Sequence, residues 1–408
     1  MGPPDRRRRH RIQIVIPPPS RLLAYGAKRR GLLSSPGKGA LPRSGPANPS
    51  RKGVNIVENL KFTSPFSANV ILAKARAMYG NSLKVKDFNE LLHCHSVSEV
   101  AAYLKNSTAY ASVLAEINES TIHRGHLEML IRRKAFNDYA ALGRYDIMIG
   151  MNLSLYLLQR IEIEQIIACL RYMSAGHASE FFFSMPMYFA SHTRLDLPKM
   201  SHCASFAELL EALAHTKYHD VLAPLAPKEE GRIRLTEIEN ALYTQLTNTM
   251  YSLIAQTPRG MREELTNLFG AQVDAQNVTR ILRLKRYFQA KPAFIRENLL
   301  PGGRCLSPKV IDSMVEAPTA DAVLDIFRST ALGRRIPPDQ REFIHDLDHR
   351  APYFNARKHI HYSIHPLVVL LSYVMLTDVE VDDIINIIEG IRYGLDPDQI
   401  RPMLVLAN

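Results

Sequence analysis

Asp274-Ala275-Gln276-Asn277-Val278-Thr279-Arg280-Ile281-Leu282-Arg283-Leu284-Lys285 is the stretch on which the fold turns. Val278, Ile281, Leu282 and Lys285 stand at offsets 0, +3, +4 and +7, one face of a 3.6-residue helix, and three of the four are apolar. The same stripe recurs as Ile166, Cys169, Leu170 and Met173, and again as Ile384, Ile387, Ile388 and Ile391. Each begins four residues after an acid, respectively Asp274, Glu162 and Glu380. That spacing predicts a carboxylate in the first turn of each helix, where the dipole favours negative charge. One helical pattern written three times marks a set of like modules.

A second landmark keeps step with the first. Ser96-Val97-Ser98-Glu99 and Ser205-Phe206-Ala207-Glu208 read as capping boxes, and Thr319 followed by Asp321 holds the third slot in weaker form. After them come Leu104, Leu213 and Phe327 at +8, then Ser107, Thr216 and Thr330 at +11. Periodic Leu, Ile and Ala dominate, and alternating strand-like runs are scarce, so the expected fold class is all-α. The expected division is a basic tail at 1–53 and helical modules at 54–180, 181–300 and 301–408.

The net charge of +11 belongs to the tail. Residues 1–53 hold 13 Lys and Arg against Asp5, while the other 355 residues carry 38 basic and 39 acidic side chains. Polybasic runs among Gly, Pro and Ser predict disorder there. Clustered cations suit phosphates or anionic lipid; the alternative, which we prefer on sequence alone, is a dispensable extension ahead of a start near Val54. The apolar run Ile12 to Ile16 is cut short by Pro17-Pro18-Pro19 and is no secretory core. The longest apolar run elsewhere, Pro366 to Leu376, falls well below the roughly 20 residues of a membrane span and predicts a core helix. Cys94, Cys169, Cys203 and Cys305 lie far apart without a CxxC, the usage of a reducing compartment.

Candidate chemistry is sparse. His345-Asp346-Leu347-Asp348-His349 and His359-Ile360-His361-Tyr362-Ser363-Ile364-His365 are rich in metal-ligand types, but Pro366 biases His365 away from the helix that would pair it with His361. A polar helix flank or an interface patch is the preferred reading; in His93-Cys94-His95 adjacent residues of a helix would diverge by about 100°, and no partner pair is evident. Phosphate-binding and nucleophile signatures are missing. Gly302-Gly303 reads as a plain linker, and Asp378, Glu380, Asp382 and Asp383 as helix-start acids. No catalytic residue, metal or cofactor is expected.

Three segments carry a resemblance. Ala68 to Leu114, with Phe88-Asn89-Glu90-Leu91-Leu92 and Ser98 to Lys105, resembles the opening of the C subunit of the A/V-type ATPases, called the d subunit in eukaryotes. Asp274 to Lys285 is similar to that family's repeated acid-x-x-Asn-Ile helix, and Glu380 to Gly394 followed by Leu395 to Ile400 resembles its final helix and closing turn. The likeness implies a funnel-shaped, wholly helical protein of three subdomains about a pseudo-threefold axis. It implies a non-catalytic cytoplasmic part of a rotary ATPase that binds the central shaft and the membrane rotor ring. Membrane contact would then be indirect, through the ring, with no nucleotide bound and no nucleic-acid partner expected.

Departures from the family pattern bear on contacts. The first module has Gln165-Ile166 for Asn-Ile, and Ser174-Ala175 where the others have Arg286-Tyr287 and Arg392-Tyr393. Arg280, Arg283 and Tyr287 face away from the apolar stripe, and with Arg392 and Tyr393 they are the candidate partner-contact residues; solvated helix faces would look alike. Lys285 sits on the inward stripe, where its stem can pack while the ammonium reaches a rim. Two rival classes remain: a helical scaffold or nucleic-acid adaptor using the tail, and a metal-dependent enzyme using the His-rich segment.

Overall fold

Helix starts follow the chain's own capping chemistry. The Ser96 hydroxyl accepts the Glu99 N–H, Ser205 that of Glu208 and Thr319 that of Ala322, each at 3.2 Å. The box carboxylates reach one residue beyond the cap, Glu99 to the His95 N–H (2.8 Å) and Glu208 to the Ala204 N–H (2.9 Å). The protein is described by a computed structural model over residues 65–148, 152–177, 181, 186–227, 233–336 and 347–407; the tail expected at 1–53 lies outside these.

The chain enters through α1 (Pro65–Gly80) and the short helices α2 (Val85–Leu92), α3 (Val97–Ser107) and α4 (Ala111–Leu114), followed by long α5 (Arg124–Met148) and α6 (Leu153–Ser174). Short α7 (Leu197–Ser201), α8 (Phe206–Ala212) and α9 (Lys217–Leu222) then precede long α10 (Leu235–Ala255) and α11 (Arg259–Phe288). Short α12 (Pro292–Glu297) follows, and the order then recurs a third time as α13 (Pro308–Glu316), α14 (Ala320–Ser329) and a 3-10 turn at Gly333–Arg335, then α15 (Leu347–Tyr362) and α16 (Pro366–Arg392), with α17 (Pro397–Ile400) closing. No strand occurs among the described residues, so the fold is all-α.

The acids are not where the helix-dipole reading places them. Glu162, Asp274 and Glu380 are the tenth, sixteenth and fifteenth residues of α6, α11 and α16. Each helix begins earlier because apolar positions continue upstream of the acid, at Leu157, Leu265 and Val369, all buried. Asp378, Asp382 and Asp383 likewise lie mid-helix. What satisfies these carboxylates is another segment of the chain.

Pro366 through Thr377 are all buried, which makes the start of α16 the core helix that its apolar run predicts. It packs on α15, α1 and α5, while α6 packs on α10 and α11 on α15. Tyr373 Oη donates to Asp138 (2.7 Å) and Tyr139 Oη to Asp378 (2.8 Å), so the C-terminal half of α5 lies beside the N-terminal half of α16. Ser363 Oγ, between α15 and α16, donates to Glu264 in the second turn of α11 at 2.6 Å. The turns joining α10 to α11 and α15 to α16 therefore lie together at one end of these helices. No described helix is long and apolar enough to cross a membrane.

Candidate functional site

Three buried carboxylates form the most distinctive constellation of the molecule. Glu162 accepts Thr193 Oγ1 and Tyr218 Oη, both at 2.6 Å. One oxygen of Asp274 accepts the backbone N–H groups of Arg304 (2.8 Å), Cys305 and Leu306 (3.0 Å). Glu380 accepts the Leu83 N–H and Tyr110 Oη, both at 2.9 Å. The hand-off is cyclic: α6 grips the segment before α7 and Tyr218 of α9, α11 grips the turn before α13, and α16 returns to the segment before α2 and to Tyr110 at the start of α4. Burial raises the pKa of Asp274 and Glu380 against these hydrogen bonds, and pushes the Tyr110 phenol well above its usual range.

Local sequence prepares each grip. Gly303 is required beside Asp274, because a Cβ there would stand 1.9 Å from Asp274 Oδ1; Gly302-Gly303 is a fitted turn and not a plain linker. Three residues past the acid a second side chain helps. Asn277 exchanges two bonds with the Leu300 backbone (2.9 and 2.7 Å), and Asp383 accepts the Val405 and Leu406 N–H groups. Thr108 and Thr216 accept the N–H groups of Tyr110 and Tyr218, and Thr330 that of Gly333. Thr108, not Ser107, thus matches Thr216 and Thr330, since the first repeat carries one extra residue.

A second polar layer ties α16 to α5 and α6. Arg160 makes a bidentate pair with Asp378 (2.5 and 2.9 Å), which also accepts Tyr139 Oη, and Lys134 pairs with Asp138 at 3.0 Å. None of these partners is legible in the sequence. The repeated Thr-x-Tyr at 108–110 and 216–218 is a signal for the tyrosines; Asp138 and Tyr139 of α5 carry none, because their partners in α16 lie more than 200 residues away.

The candidate contact residues divide. Arg280 donates to Asn240 (2.6 Å) and the Asn298 carbonyl (2.9 Å) and lies over the Tyr243 ring, so its guanidinium is engaged within the chain; burial lowers its pKa. Arg283 is half-buried. Tyr287 is exposed at the end of α11, and at the end of α16 the exposed Arg392 stacks on the Tyr393 ring at 4.9 Å. Lys285 Nζ reaches the Val315 (2.6 Å) and Ala317 (2.5 Å) carbonyls, which places a cation at the C-terminus of α13.

The described residues of the His-rich segment divide. His345 and Asp346 lie outside the described residues, as do the side chains of Asp348 and His349. His361 meets the Tyr79 ring edge-on, whereas His365, the N-cap of α16, faces Glu264 at 3.9 Å and His359 faces the same carboxylate at 3.5 Å. Among the described residues no group of three or more His, Cys, Asp or Glu is arranged to hold a metal ion. The four cysteines are free thiols, and burial pushes Cys169 up to about 12.

Fold and site together define an all-helical protein whose strongest polar constellations join its own repeats. The model of the ATP synthase (C/AC39) subunit family matches residues 71–403, and the chain belongs to that family. It is 22% identical over 340 residues to the A-type ATP synthase C subunit of Methanosarcina mazei, covering 82% of this chain and 92% of the relative. It is 23% identical over 356 residues to the corresponding protein of Archaeoglobus fulgidus, covering 82% and 95%.

Proposed function

We propose that the protein is the non-catalytic central-stalk subunit of a rotary A/V-type ATPase, linking the shaft to the membrane rotor ring and coupling ATP turnover to proton or sodium movement. The single observation that supports this most is the cyclic carboxylate hand-off. Modules at 54–180, 181–300 and 301–408, each gripping the next, resist internal rotation, which is what a torque-bearing adaptor needs. A buried carboxylate with its donors removed costs several kcal/mol, so the grips open only together with the packing around them. Exposed Tyr287, Arg392 and Tyr393, at the ends of two of the three repeated helices, form part of the partner-facing surface in this reading.

The test is removal of the protein from the host complex. The expected result is ATP hydrolysis that persists without ion transport, restored by the intact chain, together with co-purification of the chain with shaft and ring. Unchanged coupling in its absence would refute the proposal.

A further inference from the structure

We propose that the turn between α15 and α16 is a lipid-contact tip, by which this chain itself touches an anionic bilayer surface. Tyr362 and Ile364 are 79% and 77% exposed, the highest values among the exposed large hydrophobic side chains of the described residues. They flank Ser363, which is buried, so the turn is anchored at its centre while it projects on both sides. The anchoring comes from two other helices. Arg76 of α1 donates to the Ile360 (2.8 Å) and Ser363 (2.6 Å) carbonyls, and Glu264 of α11 accepts Ser363 Oγ (2.6 Å). Ser363 Oγ in turn accepts the His365 N–H, and Pro366 fixes the start of the next helix. A turn held this firmly presents its two apolar side chains without an ordering cost at the moment of contact.

Charge selects the occupant. On the last turns of α15 the exposed Arg357 and Lys358 stand four or five residues before Tyr362, and exposed Arg259 opens α11 beside Gly260, which faces His365. Glu263 is the exposed acid among these neighbours. An aromatic and an aliphatic anchor among cations match the interfacial and headgroup layers of an anionic membrane. The two anchors project from a tip and do not line a concave wall, which favours lipid over a protein pocket.

The chain contains no tryptophan, so Tyr362→Trp places a single indole at the tip of the full-length protein. With vesicles of equal phosphatidylcholine and phosphatidylglycerol, the emission should shift to the blue and be quenched by brominated acyl chains, and both effects should fade in high salt. Adding Ile364→Ser should weaken partitioning roughly tenfold while leaving the circular dichroism unchanged, since the side chain is exposed. Vesicle binding through the tail with an unmoved indole spectrum would overturn the proposal, and so would no binding at all. An indole shift seen only with isolated rotor ring, and not with vesicles, would assign the tip to a protein interface instead. None of these outcomes depends on whether the protein couples ATP turnover to transport.

Discussion

The Leu83 N–H and the Glu380 carboxylate meet at 2.9 Å across 297 residues of sequence. The bond joins the entrance of the first short helices to the last long helix, and the other oxygen of Glu380 holds Tyr110. With Glu162 and Asp274 gripping forward along the chain, this backward grip closes the ring of repeats. Without it the first short-helix segment would lose the partner that the other two segments have.

Replacing Glu380 by Ala removes both acceptors and leaves a buried amide and a buried phenol unpaired. The expected loss is about 3 kcal/mol. Glu380→Gln keeps one acceptor and should lose less. Urea unfolding measures both, and hydrogen exchange at the Leu83 amide should rise in Glu380→Ala ahead of global unfolding.

Gly303→Ala drives a methyl group into Asp274 Oδ1 and should cost about 3 kcal/mol, with exchange rising at the Arg304 to Leu306 amides. Gly80 has no heavy atom within 4 Å of its built Cβ, so Gly80→Ala is the neutral control. Equal thermal shifts in the two variants would contradict the fitted turn.

The periodic stripes, the hydroxyl caps and the core helix at Pro366 were legible because helix face and cap are local properties. The carboxylates were visible as repeated acids yet misplaced, because a helix start and a buried mid-helix acceptor look alike when the donors lie in another repeat. Asp274 shows the difficulty: its donors are three backbone N–H groups about thirty residues on, and a backbone N–H has no letter in the sequence. Gly303 was the one written trace of that contact. Arg280 stood off the apolar stripe and still became half-buried, because α10 and the segment after α12 cover that face of α11.

Lys285→Met keeps the packed stem and removes the ammonium that holds the Val315 and Ala317 carbonyls. The expected loss is about 1–2 kcal/mol, concentrated in α13. Exchange of α13 amides should quicken while those of α6 stay unchanged. Full retention of α13 protection would mean that the ammonium contributes nothing there.

Asp146 gives the chain a pH-dependent weakness. Its side chain is wholly buried, and Oδ2 accepts the Ser154 N–H at 2.8 Å. Burial, only partly offset by hydrogen bonds from the Ser154 N–H, the Ser154 side chain and the Leu153 N–H, pushes the pKa up to about 6 from 3.8. The folded state therefore holds this proton more tightly than the unfolded state does. The stability it contributes is fully present below about pH 4 and is lost as the pH rises through 6. A shift of this size corresponds to about 3 kcal/mol at most. Asp146→Asn keeps an acceptor for Ser154 and carries no charge, so it should flatten the dependence, with the variant more stable than the parent at pH 7.5 and the gap closing towards pH 4. Urea unfolding across that range measures it, and a gap that stays constant with pH would show that Asp146 is not the titrating group.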